Sequence, residues 1–226
     1  MIALVDYGAG NLASVRKALG ALGAQVIEPR SPGDLRDVTG IIVPGVGHFG
    51  VTSSLDEGWR DAVLDAIGAG TPLLGICLGM QWLFDGSDEA PNTPGLGVLP
   101  GRITRLPRQC PDGARVKIPH VGWNRLEMAP SDAPSHPASA SPRLLAGIPP
   151  GSYVYFTHAY AAPITDACSA RTVHGQAFAA AVERGPVWGV QFHPEKSGPV
   201  GLSVLANFAR AASTYAGRGA GSEARC

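Results

Sequence analysis

The chain has 226 residues, 45% of them hydrophobic, and its 18 basic and 18 acidic residues sum to a formal net charge of zero. With neither a basic excess nor a basic run, it is not expected to bind nucleic acid or an anionic membrane surface, and no apolar run is long enough to span a bilayer. The size fits one α/β domain with one substantial core. Cys77, Cys110, Cys168 and Cys226 show no short paired spacing, so no zinc site, redox motif or disulfide framework is expected, and no metal or cofactor is implied. Met1 runs directly into Ile2-Ala3-Leu4-Val5 without a basic leader or apolar signal core, and a cytosolic (cytoplasmic) protein is expected.

Residues 2–5 read as a buried strand. A glycine-rich loop over 6–11 follows, then a helix with Leu12, Val15, Leu19 and Leu22 at helical spacing and Gly23 as its C′ residue. Residues 26–27 make a second short strand ended by Pro29. The turn Gly8-x-Gly10-x-x-Ala13, with Glu28 18 residues beyond Gly10, has the form of a dinucleotide-binding fingerprint. A tight strand-to-helix turn needs the same glycines, so the match alone assigns no nucleotide.

Residues 38–43 form a third strand that runs into Pro44-Gly45-Val46-Gly47-His48-Phe49-Gly50. Glycines on either side of Val46 let a peptide plane rotate or let the backbone approach a ligand. Leu55, Trp59, Val63 and Ile67 mark an amphipathic helix closed by Gly68 and Gly70. Three strand-loop-helix units predict a mostly parallel twisted sheet with helices on both faces, with ligands at the carboxyl ends of the strands.

The next unit is Thr71-Pro72-Leu73-Leu74-Gly75-Ile76-Cys77-Leu78-Gly79-Met80-Gln81. Residues 72–76 read as a buried strand and 78–84 as the start of a helix, which puts Cys77 on the tight turn of a nucleophile elbow. Its flanking glycines leave room for a strained backbone and close packing. The amides at the start of the helix favour thiolate over thiol, and the Leu78 amide is placed to face a developing oxyanion. A cysteine in an apolar run is otherwise a small buried hydrophobe, so the weight of this reading comes from the rest of the chain.

After the elbow helix, residues 91–100 are turn-rich, and 101–106 and 115–118 alternate as half-exposed strands of a smaller antiparallel sheet. Pro119-His120-Val121-Gly122-Trp123-Asn124 is polar and aromatic together. Residues 128–142, rich in Ala, Ser and Pro, read as a long exposed loop. Residues 152–160 form a strand with three tyrosines, and 176–182 with 187–192 form a hairpin. The hairpin ends in Gln191-Phe192-His193-Pro194-Glu195-Lys196-Ser197. Pro194 holds His193 extended, so His193 and Glu195 project to one side, where the carboxylate can fix the tautomer of the imidazole and stabilise its protonated form. Leu202, Leu205, Ala209 and Ala212 mark a last helical face. The expected domain is 1–212, with a disordered tail over 213–226.

Taken together, Gly75-Ile76-Cys77-Leu78-Gly79-Met80-Gln81 and Phe192-His193-Pro194-Glu195 resemble the class I, triad-type glutamine amidotransferases. The segments 6–12, 44–50, 120–124 and 191–197 resemble, more particularly, the glutaminase subunits of imidazole glycerol phosphate synthase. The resemblance implies an enzyme of histidine biosynthesis in which Cys77 attacks the carboxamide of glutamine, His193 transfers protons and Glu195 orients His193. It implies an oxyanion hole from the amides of Val46 and Leu78, and glutamine held by Gly47, Gln81 and the Ala159-Tyr160 stretch. At 159 the family usually has serine, so alanine leaves only a backbone contact there. It implies a separate cyclase subunit, a (β/α)₈ barrel that receives the ammonia, with Asn11, His120, Trp123, Asn124, Tyr155 and Lys196 at the interface. In this family the first glycine turn faces the partner and binds no dinucleotide. Two rivals share parts of the pattern. An amidotransferase subunit feeding pyridoxal phosphate synthesis would share the triad but not the tryptophan motif or Lys196-Ser197, and a non-catalytic binding subunit would not need an intact triad.

Overall fold

The structure, a computed structural model, describes residues 1–129 and 144–222. In chain order its elements are β1 (Ile2–Leu4), α1 (Leu12–Ala21), β2 (Val26–Ile27), β3 (Gly40–Gly45), α2 (Glu57–Gly68), β4 (Leu73–Cys77), α3 (Leu78–Trp82), β5 (Gly86–Ser87), β6 (Ala90–Pro94) and β7 (Arg102–Arg105). They continue with β8 (His120–Arg125), β9 (Glu127–Met128), β10 (Tyr153–His158), β11 (Tyr160–Ala161), β12 (Cys168–His174), β13 (Gln176–Arg184), β14 (Val187–Val190) and α4 (Gly198–Ser222).

The central sheet has the order β2-β1-β3-β4-β14-β13-β12-β9. Its first five strands run parallel, and the β13–β14 hairpin turns the remainder antiparallel. Strands covered on both faces must be apolar throughout, and every residue of β1, β3 and β4 is buried. Alternation along the strands sorts their side chains. Ile2, Leu4, Ile42, Leu74 and Ile76 pack with Val15 and Leu19 of α1 and with Val204, Leu205 and Phe208 of α4. Ala3, Ile41, Val43 and Leu73 go to the opposite side, with Val63 of α2 and Met80 and Trp82 of α3. Asp56 starts α2 by accepting the Trp59 amide at 3.2 Å.

The predicted parallel sheet, its helices and the β13–β14 hairpin are present. The smaller antiparallel sheet is in fact two, β10-β8 and β11-β7-β5-β6, the latter with one parallel pair. Residues 115–118 form no strand: Arg115 makes a single bridge to Gln109. Prolines at 107, 111 and 119 remove the amides a ladder there would need. The last helix also departs from expectation. It continues past 212 to Ser222, consistent with the helix propensity of an alanine-rich sequence. Its buried face is Val204, Leu205, Phe208, Ala211 and Ala212, while Leu202 is exposed. The alanine-rich loop over 128–142 lies almost wholly outside the described residues, as does 223–226.

Candidate active site

Strand β4 passes into α3 with no intervening loop, and the whole change of direction falls on Cys77. Its φ of 53° and ψ of −105° make it the one non-glycine residue with positive φ among the described residues. Such a conformation costs on the order of 1–3 kcal/mol and persists only where the surroundings impose it. The neighbouring glycines impose it by close approach. A Cβ on Gly79 would fall on the Val43 carbonyl oxygen of β3, and one on Gly75 would lie 2.6 Å from the Gly79 oxygen. The strain expected at the elbow therefore sits on the cysteine, and the glycines supply contact.

His193 follows β14, the strand beside β4. Its backbone is extended, at φ −100° and ψ 98°, as Pro194 requires. The His193 amide donates to the Tyr155 carbonyl at 2.9 Å. Ser197 Oγ donates to the His193 carbonyl at 2.7 Å and accepts the Tyr155 amide at 2.9 Å, tying the histidine to β10. Nδ1 of His193 lies 3.0 Å from Oε1 of Glu195, with the two side chains 2% and 1% exposed. A carboxylate on Nδ1 makes that nitrogen the donor and leaves Nε2, which is buried, as the ring nitrogen available to Cys77. Burial works against a charge on His193, but Cys77 and Glu195, as hydrogen-bonding groups and as negative charges, outweigh it and raise the pKa to about 9. That favours the protonated imidazole beside the Cys77 sulfur.

Gly45 is the lateral partner of Cys77, so Val46 and Leu78 are the residues that directly follow this pair. Val46 is exposed, Gly47 has φ +107°, and the loop is pinned beyond them where Glu89 Oε2 accepts the Phe49 amide at 2.8 Å. The Tyr7 hydroxyl packs where a Cβ on Gly45 would be and has no partner. Burial, then the charge of Cys77, pushes its pKa upward. In the first turn, Gly8 and Gly10 have positive φ and Glu28 is ion-paired with Arg16.

A line of buried polar groups meets the site from the side. Gln191 Nε2 donates to Cys77 Sγ at 3.5 Å, and Gln81 Nε2 donates to Gln191 Oε1 at 3.1 Å and to the Tyr160 carbonyl at 2.9 Å. Gln81, expected among the residues that hold glutamine, is 4% exposed, and its side-chain nitrogen is fully engaged within the protein. The carbonyl of Ala159 is likewise engaged, accepting the Leu106 amide at 2.9 Å.

His158 Nδ1 stands 2.8 Å from the Tyr160 carbonyl, which can only accept, so Nδ1 carries the proton. In the neutral ring Nε2 is then the acceptor. His120 Nδ1 must donate to it at 3.1 Å, and Asn124 Nδ2 to His120 Nε2 at 3.3 Å. Burial, with smaller effects from neighbouring histidines, lowers His158 to about 3 and His120 to about 4, so both are neutral. His174 stacks on His120 with centroids 4.1 Å apart.

Of the residues expected at an interface, Trp123 is 56% exposed and meets Tyr155 edge-on across β8 and β10. Lys196 is exposed, and Asn11 is half-buried ahead of α1. His120 faces the opposite way, buried, and Asn124 points inward to it. Sequence reasoning missed the roles of Gln191, Ser197 and Glu89. Gln191 and Ser197 flank the histidine in the motif it singled out, whereas only the fold brings Glu89 to the glycine loop. Among the described residues no group of three or more His, Cys, Asp or Glu side chains could hold a metal, and no helix is long and apolar enough to cross a membrane.

A cysteine held in strain at a strand-to-helix turn beside a buried His–Glu pair is an arrangement suited to a thiol nucleophile with an adjacent acid–base group. The family model "Glutamine amidotransferase class-I" matches residues 3–212, and the chain belongs to that family. Within it, the chain is 46% identical over 216 residues to the "Imidazole glycerol phosphate synthase subunit HisH" of Desulfitobacterium hafniense (strain DCB-2), covering 93% of this chain and 94% of that one. It is 43% identical to the protein of the same name from Thermococcus kodakarensis, covering 93% and 100% of the two chains. It is thus a member of the HisH branch. Among solved structures, a "Crystal structure of glutamine amidotransferase" superposes with TM-score 0.69 at 22% identity, covering 94% of this chain and 100% of the other. The glutaminase domain of Trypanosoma brucei CTPS gives 0.59 at 20% identity, over 92% and 93%. These two likenesses show the shared fold.

Proposed function

We propose that this chain is the glutaminase of an imidazole glycerol phosphate synthase, with Cys77, His193 and Glu195 as its catalytic triad. The supporting observation is the strained Cys77 beside the buried His193–Glu195 pair. Cys77 sulfur attacks the carboxamide carbon of glutamine while its proton resides on His193 Nε2. The oxyanion that forms is held by the amides of Leu78 and Val46. Its collapse breaks the C–N bond, and His193 protonates the departing ammonia. His193 then takes a proton from water, which attacks the thioester carbonyl and releases glutamate and free Cys77. Glu195 keeps Nδ1 protonated and balances the imidazolium throughout. The sum is glutamine plus water to glutamate plus ammonia.

The ammonia passes to a cyclase subunit, a (β/α)₈ barrel, which uses it to make imidazole glycerol phosphate and aminoimidazole carboxamide ribotide. The barrel docks on the outer face of β8 and β10 at Trp123 and Tyr155, with Asn11 and Lys196 at the margins. His120 and Asn124 act from beneath that face. Gly47, Gln81, Ala159 and Tyr160 form the wall against which glutamine lies, with Gln81 and the two carbonyls fixing its shape. The reading carries the expectation of a cytoplasmic enzyme. Full activity requires the Val46 peptide to aim its N–H at the oxyanion, a donor worth about 3 kcal/mol or a hundredfold or more in rate, and partner binding supplies that rotation.

The test is glutamate release by wild type and Cys77→Ala, each with and without a cyclase subunit and its nucleotide substrate. Release that needs Cys77 and rises steeply with the partner supports the reading. Cys77-dependent release indifferent to that partner removes the pathway, and no release in any mixture removes the activity.

A further inference from the structure

We infer that Gln191 is a positioning residue for the nucleophile: it presents an amide N–H to the Cys77 sulfur, in an orientation imposed from the Tyr160 carbonyl through Gln81. The inference rests on the glutaminase reading of the site and deepens it.

The orientation of a side-chain amide is usually open, because its oxygen and nitrogen can exchange places. Here a backbone group decides it. The Tyr160 carbonyl oxygen has no proton to give, so the Gln81 atom 2.9 Å away must be its NH₂. The same nitrogen lies 3.1 Å from a terminal atom of the Gln191 amide, which must then be the oxygen. That leaves the NH₂ of Gln191 facing Cys77 Sγ at 3.5 Å, within range of an N–H···S hydrogen bond. His158 donates to the same Tyr160 carbonyl at 2.8 Å, so both its lone pairs are occupied and the carbonyl is held in place. Gln191 is 0% exposed and Gln81 is 4% exposed, so bulk solvent does not compete for these partners.

The consequence falls on the charge state of the sulfur. An N–H donor strengthens its bond when the acceptor becomes an anion, and more so in a buried setting. Gln191 therefore stabilises thiolate over thiol and fixes where the sulfur points. The titratable groups facing the sulfur are His193, beyond β14 and backed by Glu195, and Tyr7, beyond β1. His193 supplies the opposing charge, and Gln191 supplies a donor that does not titrate.

The experiment uses the full chain and follows alkylation of Cys77 by iodoacetamide against pH, read on the Cys77 peptide by mass spectrometry to exclude Cys110 and Cys168. Gln191→Met keeps the size and removes the donor, and Gln191→Glu replaces the donor with an acceptor. In Gln191→Met the alkylation midpoint is expected to move up by about one pH unit, a tenfold loss of thiolate at fixed pH. With the cyclase subunit present, kcat for glutamine hydrolysis is expected to fall about tenfold with KM within about twofold, and Gln191→Glu is expected to do worse on both measures. Gln81→Met leaves Gln191 in place but unanchored and is expected to give a smaller shift in the same direction. It also serves as the test if Gln191→Met fails to fold. Superimposable alkylation profiles for wild type and Gln191→Met, or for wild type and Gln81→Met where only that variant folds, would overturn the inference. Absence of Cys77-dependent glutaminase in the wild type would instead count against the function, while the alkylation profiles still decide the N–H···S bond.

Discussion

Moving from about pH 7 to about pH 5 is expected to destabilise the folded chain, with His158 as a principal cause. His158 ordinarily titrates at 6.5 and is held to about 3, chiefly by burial. Through that interval the unfolded chain takes up a proton that the folded chain refuses. The stability tied to a neutral His158 is therefore present above 6.5 and drains away as the pH falls toward the folded value. At about 1.4 kcal/mol per unit, the loss by about pH 5 is on the order of 2 kcal/mol. His120, held to about 4, acts in the same direction with a similar size. His193 opposes them. Its folded value of about 9 lies above 6.5, so its contribution is complete below 6.5 and is lost only as the pH rises through 9. Over the acid interval His193 returns just under about 1 kcal/mol. The net loss is about 3 kcal/mol, a large part of the roughly 5–15 kcal/mol available to a typical domain. Urea unfolding followed by tryptophan fluorescence at a series of pH values measures it directly. His158→Gln keeps a donor and an acceptor but takes no proton, so its stability should fall less steeply with acid, by about 2 kcal/mol over the interval. A wild type whose stability is flat across this range, or a variant with the wild-type slope, would refute the reasoning.

Four further outcomes follow from the geometry. Gly79→Ala puts a Cβ against the Val43 carbonyl, so α3 must lift from the sheet; thermal melting should report a loss of about 3 kcal/mol or more, together with the activity. Cys77→Gly and Cys77→Ala should both be inactive, but the glycine variant should unfold later by about 1 kcal/mol, because only it relaxes at φ 53°. Ser197→Ala removes the hydroxyl that joins His193 to Tyr155, and should cost about 1–3 kcal/mol in denaturant titration and lower kcat. Trp123→Ala should leave the melting temperature of the isolated chain nearly unchanged while calorimetric titration with the cyclase subunit shows binding weaker by about 2 kcal/mol or more.

The parts of the fold that could be read in the sequence are those set by local pattern. Strands β1, β3 and β4 are short apolar runs bounded by turn residues, and that pattern marks strands buried on both faces whatever they pack against. The elbow was legible because Gly75, Cys77 and Gly79 encode a close approach in three positions. The His193–Glu195 pair was legible because one proline fixes the backbone between them. What could not be read depends on distant registers. Gln81 and Gln191 are 110 residues apart and meet only because β14 inserts beside β4. The resemblance put His120 at the interface, and nothing in its own segment shows which face of β8 lies against the core; its pairing with His158 across the β8–β10 register decides that. Residues 115–118 had the alternation of a strand, but alternation does not reveal whether a neighbour is in reach.

The position of β14 also has a consequence for the order of events during synthesis. Leu73 of β4 pairs with Val187 of β14, so the elbow emerges from the ribosome more than a hundred residues before the strand that carries its base. Until β14 slots between β4 and β13, Cys77 has neither His193 nor Gln191 beside it. Contacts of such long separation form late and slowly. A nascent or truncated chain therefore holds an unarmed thiol, and the capacity to consume glutamine appears only once the C-terminal hairpin has closed the sheet.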